Sequence, residues 1–224
     1  MRAPISVIIP TLNAEAALGG CLIALMPGLE AGLIRELIVS DGGSDDATVE
    51  IARAWGAEII TGPASRGGQL ARGCDAAKGT WLLVLHADTQ LAEGWVGPVA
   101  RHLNGTQAGW FRLAFAEGGV AGRIVAGWAN LRSRLGLPYG DQGLLLPMAL
   151  YQCSGGYPSQ PLMEDVALAR ALKGHLTGIN VVARTSAVRY QKQGWVRRGA
   201  RNFWTLIRYF GGANPARLAD SYRR

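Results

Sequence analysis

This chain has few cysteines, no long apolar run and almost no C-terminal acids. Its 224 residues include three cysteines, Cys21, Cys74 and Cys153, an odd number with no C-x-x-C spacing. Neither a disulfide framework nor a zinc knuckle is therefore expected, and the three are read as buried free thiols. No apolar stretch approaches the roughly 20 residues that a membrane-spanning helix needs. The opening "MRAPISVIIP" leads into a short β-like run without the layout of a signal peptide, so the expected address is the cytoplasm. The first β-to-α turn, "PTLNAEAALGG", has no G-x-G-x-x-G, which argues against a nucleotide-dependent dehydrogenase. Acids all but vanish after Asp165. Residues 166–224 carry 12 Lys and Arg against 1 acid, a net of +11, whereas residues 1–165 carry 11 against 15, a net of −4. A tail of that sign implies an anionic partner, whether nucleic acid, a lipid surface or a phosphorylated ligand. No RNA- or DNA-binding motif accompanies it, so nucleic acid is not expected.

What is present describes a folded α/β domain. The chain is 49% hydrophobic and 17% charged, with 31 glycines for tight turns, far from the composition of disorder. Four short apolar runs rich in Ile, Val and Leu occupy residues 5–9, 36–40, 57–61 and 81–86. They lack clean alternation, as strands covered on both faces do. Helix-period stretches separate them, beginning near Asp45 and Ser65. A βαβαβαβ series implies a mostly parallel sheet flanked by helices, with ligands beyond the carboxyl ends of the strands. Polar residues collect just there: Pro10, Thr11, Asn13 and Glu15 after the first run, "DGGSDD" after the second, Arg66 after the third, His86 and Asp88 after the fourth. Further on, strands are expected at 109–115 and in "LTGINVVAR", and helices at 120–136 and from "MEDVALARALKG". No linker marks a second independent domain.

Three motifs admit two readings each. "SDGGSDDAT" can be a β-to-α loop whose Ser44 or Asp45 caps the next helix, yet Asp41, ending its strand, needs a donor of its own. "HADT" can be an Asx-turn, or Asp88 and His86 can reach a divalent cation that neutralises a diphosphate. "LMEDVALARAL" puts two acids in a helix first turn, where they offset the dipole; alternatively Asp165 is a general base.

Taken in order, "SVIIPTLNAE", "LIVSDGGSDDAT", "SRGGQLARGCDAAKGTWLLVLHADT" and "GGYPSQPLMEDVALARAL" resemble the family 2 glycosyltransferases of the GT-A fold. The resemblance covers about residues 4–173 and, with "LPYGDQG" and the basic tail, is nearest to compact bacterial members. It implies one GT-A domain with a nucleotide-binding half at 1–104, an acceptor and catalytic half at 105–185 and a basic extension at 186–224. It implies transfer of a sugar, with inversion, from a nucleoside diphosphate sugar, UDP being the common carrier, to an unidentified hydroxyl acceptor. By position, Pro10, Thr11, Asn13 and Glu15 would lie along the nucleotide and Asp41 would contact the base. Arg66 and Gln69 would lie near the nucleotide and diphosphate. Asp88 would hold a divalent cation, Mn or Mg. His86 departs from the family's usual Asp-x-Asp; a neutral imidazole there brings no charge and suits Mn more than Mg, and His86 is assigned to the ribose or to support of the site. Asp165 would be the catalytic base. Asp141, Gln142 and Glu164 would lie near the acceptor or donor sugar. Arg189 and Tyr190 stand where many relatives carry a basic and aromatic pair near the diphosphate, a match of two residues only. The alternative is a catalytically silent nucleotide-binding or membrane-docking module on the same fold.

The segment "WVRRGARNFWTLIRYF", residues 195–210, puts Val196, Ala200, Phe203, Ile207 and Phe210 on one helical face and Arg197, Arg201, Thr205 and Arg208 on another. Either its apolar face packs on the domain, or it docks on an anionic membrane surface at the inner face of the cell membrane. A lipid-linked acceptor would favour the second.

Overall fold

The computed structural model describes residues 2–223. The first half alternates as expected: β1 (Ile5–Thr11), α1 (Glu15–Glu30), β2 (Ile34–Asp41), α2 (Thr48–Ala54), β3 (Glu58–Thr61), α3 (Arg66–Ala76) and β4 (Trp81–Val84). The second half holds β5 (Thr89–Leu91), α4 (Val96–His102), β6 (Ala108–Phe115), α5 (Gly119–Arg134), β7 (Leu144–Pro147), α6 (Met148–Cys153) and α7 (Glu164–Ala171). It closes with β8 (Leu176–Thr185), α8 (Val188–Gln193), α9 (Trp195–Phe210) and α10 (Pro215–Arg223). One eight-stranded sheet runs in the order β3-β2-β1-β4-β7-β6-β8-β5. Its first four strands are mutually parallel, and β7 and β5 run antiparallel to their neighbours.

The period-two pattern of β1 places its core on both faces of the sheet. Ile5, Val7 and Ile9 pack with Leu18, Leu22 and Leu25 of α1 and with Trp95, while Ile8 meets Leu70 and Cys74 of α3 on the other side. Leu83 and Leu82 of β4 divide in the same way. Truncating any of these fully buried chains to Ala costs about 2–5 kcal/mol. The third run departs from the doubly covered reading. Glu58 and Thr61 are exposed and Ile59 and Ile60 only half-buried, because β3 is an edge strand with one partner, β2. Cys153 likewise is exposed, unlike buried Cys21 and Cys74.

Two strands were not legible beforehand, and one of them builds the site. β7 inserts antiparallel between β4 and β6, pairing Leu144 with Val84 and with Trp110. Its amino end therefore lies at the same sheet edge as the carboxyl ends of β1, β4 and β6. That brings the 3-10 turn Gly140–Gln142 beside His86 and Asp88.

Candidate active site

A cleft of about 640 Å³ opens along this edge. It is lined by Pro10, Thr11 and Asn13 after β1, Ser65, Arg66 and Gln69 at the start of α3, His86 and Asp88 after β4, and Asp141 before β7. Met163, Glu164 and Asp165 at the start of α7 complete the acidic side. Backbone strain gathers here too. Asn13 and Met163 are the non-glycine residues with positive φ, at 51° and 64°, among the described residues, and both line the cleft; such conformations persist where the surroundings over-determine them.

Asp165 is held by backbone. Its Oδ2 accepts from the Gly140 N–H at 2.9 Å and its Oδ1 from the Val166 N–H at 2.7 Å, which fixes the plane of the carboxylate and leaves each oxygen a further lone pair. Gly140 is required at that point, because a Cβ there would lie 2.7 Å from His86 Nε2. His86, Gly140 and Asp165 thus form one packed series across the cleft. Burial, then the charges of Arg66 and Arg189, hold the His86 pKa well below its ordinary value, so the imidazole is neutral. Glu164 is 2% exposed, with Oε1 3.7 Å from Arg66 Nε and Oε2 buried without a partner. Burial and the neighbouring Asp165 charge, against the pull of Arg66, push its pKa up to about 7. Asp141 is also raised, by burial first, with Asp165 and Asp88 adding to it against Arg132 and Arg66, and its Oδ1 has no partner.

Three predicted site residues do not reach the cleft, for reasons their hydrogen bonds give. Asp41 is 1% exposed and accepts from the Thr11 hydroxyl at 2.8 Å, from the Gly43 and Ser44 N–H groups at 2.8 Å each, and from the Ser44 hydroxyl at 2.6 Å. Burial would raise its pKa, and these four donors together lower it. It braces the cleft floor through Thr11. Glu15 accepts from the Ala47 N–H at 3.0 Å and, with Asn13, laces the loop after β1 to the loop after β2. Gln142 is wholly buried, accepting from Ser133 and Tyr139 and donating to Phe111 and Asn130; it is an internal strut of the GDQG turn and does not line the cleft. Gln69 lines the cleft but gives its amide hydrogens to the carbonyls of Thr11 and Ser40, at 2.6 and 3.0 Å.

The opposite wall comes from residues whose part in the site no local motif announces. Phe115, Tyr139, Thr185, Ser186, Arg198, Asn202 and Tyr222 line it together with Arg189 and Tyr190. The excess of positive charge after Asp165 was the available signal, but it did not say which arginines turn inward.

Among the described residues no three His, Cys, Asp or Glu side chains stand close enough to enclose a metal alone. The oxygen donors present, Asp88 on the cleft with the unpartnered Asp141 oxygen near it, fit a hard divalent cation that takes one or two carboxylates and completes its shell with substrate phosphates and water.

The sheet order, with a cleft beyond the strand ends, is that of the GT-A fold. The S. aureus TarS 1-349 structure in complex with UDP matches 82% of this chain and 61% of its own at a TM-score of 0.61 and 16% identity. Glucosyl-3-phosphoglycerate synthase from Mycobacterium tuberculosis, solved with Mn2+, UDP and phosphoglyceric acid, matches 86% of this chain and 75% of its own at a TM-score of 0.57 and 22% identity. The chain belongs to glycosyl transferase family 2, whose profile matches residues 6–131. Over 101 residues it is 41% identical to the PGL/p-HBAD biosynthesis glycosyltransferase of Mycobacterium bovis and of Mycobacterium tuberculosis. That match takes in 42% of this chain and 39% of the relative, so the chain aligns with well under half the length of those enzymes.

Proposed function

We propose that the chain is an inverting glycosyltransferase moving a sugar from a nucleoside diphosphate donor, UDP-linked as in the complexes of its structural neighbours, to a hydroxyl acceptor. The observation that carries this reading is the meeting, in one cleft, of a backbone-oriented carboxylate, Asp165, with an acidic pair, Asp88 and Asp141, and the guanidinium groups of Arg66 and Arg189. Pro10, Thr11 and Asn13 form the nucleotide end. Asp165 takes the proton of the acceptor hydroxyl as its oxygen attacks the anomeric carbon, and the displacement inverts that carbon. A divalent cation held by Asp88 would neutralise the charge that develops on the leaving diphosphate. Arg66, leaning on Glu164, adds positive charge to the same side. Neutral His86 buttresses Gly140 and so aims Asp165.

The test is donor turnover together with ligand-induced stabilisation. UDP with Mn or Mg is expected to raise the melting temperature, since a ligand bound only to the folded form stabilises it, and UDP-sugars are expected to be consumed in the presence of an acceptor. Stabilisation without turnover would favour a silent nucleotide-binding module, and no stabilisation by any nucleoside diphosphate a membrane-docking one.

The acceptor is proposed to be lipid-linked, met at an anionic bilayer at the inner face of the cell membrane. No helix among the described residues is long and apolar enough to cross a membrane, but two helices display an apolar surface. Val120, Ile124, Trp128 and Leu131 of α5, and Val196, Phe203, Trp204, Ile207 and Phe210 of α9, are all exposed. Trp128 meets Phe203 edge to face at 6.3 Å, which joins the two rows. Neither helix contains an acid, and Arg123, Arg134 and Arg197 are exposed on them. A second copy would set these arginines against each other, whereas anionic headgroups would neutralise them.

A further inference from the structure

Arg198 is a buried cation whose partners are all neutral. It is 9% exposed and lines the cleft. Its guanidinium donates to Gln193 Oε1 at 2.8 Å and to the Tyr222 hydroxyl at 3.2 Å, and lies 5.2 Å and 5.8 Å from the ring centres of Tyr190 and Tyr222. Its Nε is buried without an acceptor, and among the described residues no carboxylate stands within ion-pair distance of it. The tyrosines are themselves tied down: the Tyr222 hydroxyl donates to Asn202 Oδ1 at 2.7 Å, and Asn202 Nδ2 donates to the Tyr190 hydroxyl at 3.0 Å. A charge withdrawn from water without a counter-charge is expensive. A frame of side chains that fixes its orientation instead of neutralising it is the construction of a receptor. A guanidinium fork matches the oxygens of a phosphoryl group, which it can bind through two N–H groups at once.

We infer that Arg198 binds a phosphoryl group of a substrate at the C-terminal wall of the cleft. The group is either the donor's diphosphate or a phosphate carried by the acceptor. The inference rests on the sugar-transfer reading only in taking the cleft to be where substrates enter. It gives the inward face of α9 a purpose that the lipid surface on its outward face does not supply.

Calorimetric titration of the wild type, R198Q, R198K and R53Q, a control at an exposed arginine of α2 off the cleft, tests it, with inorganic pyrophosphate, inorganic phosphate, UDP and uridine as probes. R198Q is expected to bind pyrophosphate at least tenfold more weakly than the wild type. R198K, which keeps the charge without the fork, should fall between them, and R53Q should match the wild type. If the occupant is the donor diphosphate, R198Q also weakens UDP by the same factor and leaves uridine unchanged. If it is an acceptor phosphate, UDP affinity survives and binding of inorganic phosphate to the UDP-saturated protein is lost. Unchanged affinity of R198Q for every phosphorylated probe, with an unchanged melting temperature, would overturn the assignment, as would a wild type that binds none of them. Should R198Q fail to fold, R198K carries the same comparison. A wild type that binds pyrophosphate through Arg198 but no nucleoside diphosphate would keep this assignment and remove the sugar-transfer reading.

Discussion

Helices α1 and α9 are each sixteen residues long and face the protein with opposite chemistry. α1 turns Leu18, Cys21, Leu22 and Leu25 inward, whereas α9 turns in Arg198 and Thr205 and leaves Val196, Phe203, Trp204, Ile207 and Phe210 outside. What lies beneath decides the sense. α1 rests on the apolar face of β1, where leucines gain about 1.5–3 kcal/mol each by burial. α9 roofs a cleft whose tyrosine hydroxyls and asparagine amide need polar partners. Its apolar face therefore forgoes the usual gain until something covers it. Helical periodicity identifies such a face without giving its destination.

On the proposed function, chemistry falls to the sheet edge and α7, and lipid contact to the outside of α5 and α9. The strongest way to break it is to remove the base. Asp165→Asn should lower kcat by about 10²–10⁴ while donor affinity, measured by calorimetry, stays within twofold. Turnover that survived this change would move the chemistry elsewhere in the cleft. Next in size, Asp88→Ala should cost about 10²–10³ in kcat, the scale of one lost electrostatic contact to the transition state. It should also abolish the dependence of UDP binding on Mn or Mg. A variant that still responded to the ion would point to other ligands.

How far the sequence carried this picture follows from where its signals are local. Strands β1, β2 and β4 were legible as apolar runs, and the polar residues at their carboxyl ends do gather at one rim, with Asp88 and Asp165 on the cleft and Asp41 just beneath it. β7 was not legible. "LLLP" is four residues long, too short for periodicity to separate strand from helix, and its place between β4 and β6 depends on a pairing far away in the chain. The burial of Gln142 was not legible for a related reason. A motif gives the order of residues, whereas the direction of a side chain depends on neighbours such as Ser133 and Asn130. The cationic wall was visible only as a surplus of charge, because Arg198 is brought to the cleft by the packing of α8, α9 and α10.

A smaller effect sharpens the outward half of the comparison. Replacing Phe203 and Trp204 together by Glu should reduce co-flotation with vesicles containing anionic lipid by at least fivefold, since it removes buried apolar area and adds charge of the wrong sign. Turnover of a water-soluble acceptor should be untouched. Equal flotation with neutral and anionic vesicles would remove the electrostatic part of the argument, and loss of an oligomer in place of flotation would make this face a contact between copies.

The smallest expected effect concerns Glu164, which lies, like Arg198, on the cleft side of the molecule but has a charged neighbour of its own sign. Folding raises its pKa from 4.5 to about 7, through burial and then the Asp165 charge, so the folded chain holds the proton more tightly than the unfolded one. The stability that this proton supplies is complete below about pH 4.5 and is lost as pH rises through about 7. Glu164→Gln removes that dependence. Melting curves from pH 5 to pH 8 should show the wild type losing ground to the variant, by a few degrees at pH 8 for about 1 kcal/mol in a chain of this size. A variant less stable at every pH would mean that the 3.7 Å pairing with Arg66 outweighs the cost of burying the carboxylate. The cleft would then hold its acids by ion pairs, as an ordinary surface does, and the contrast between its two walls would narrow to Arg198 alone.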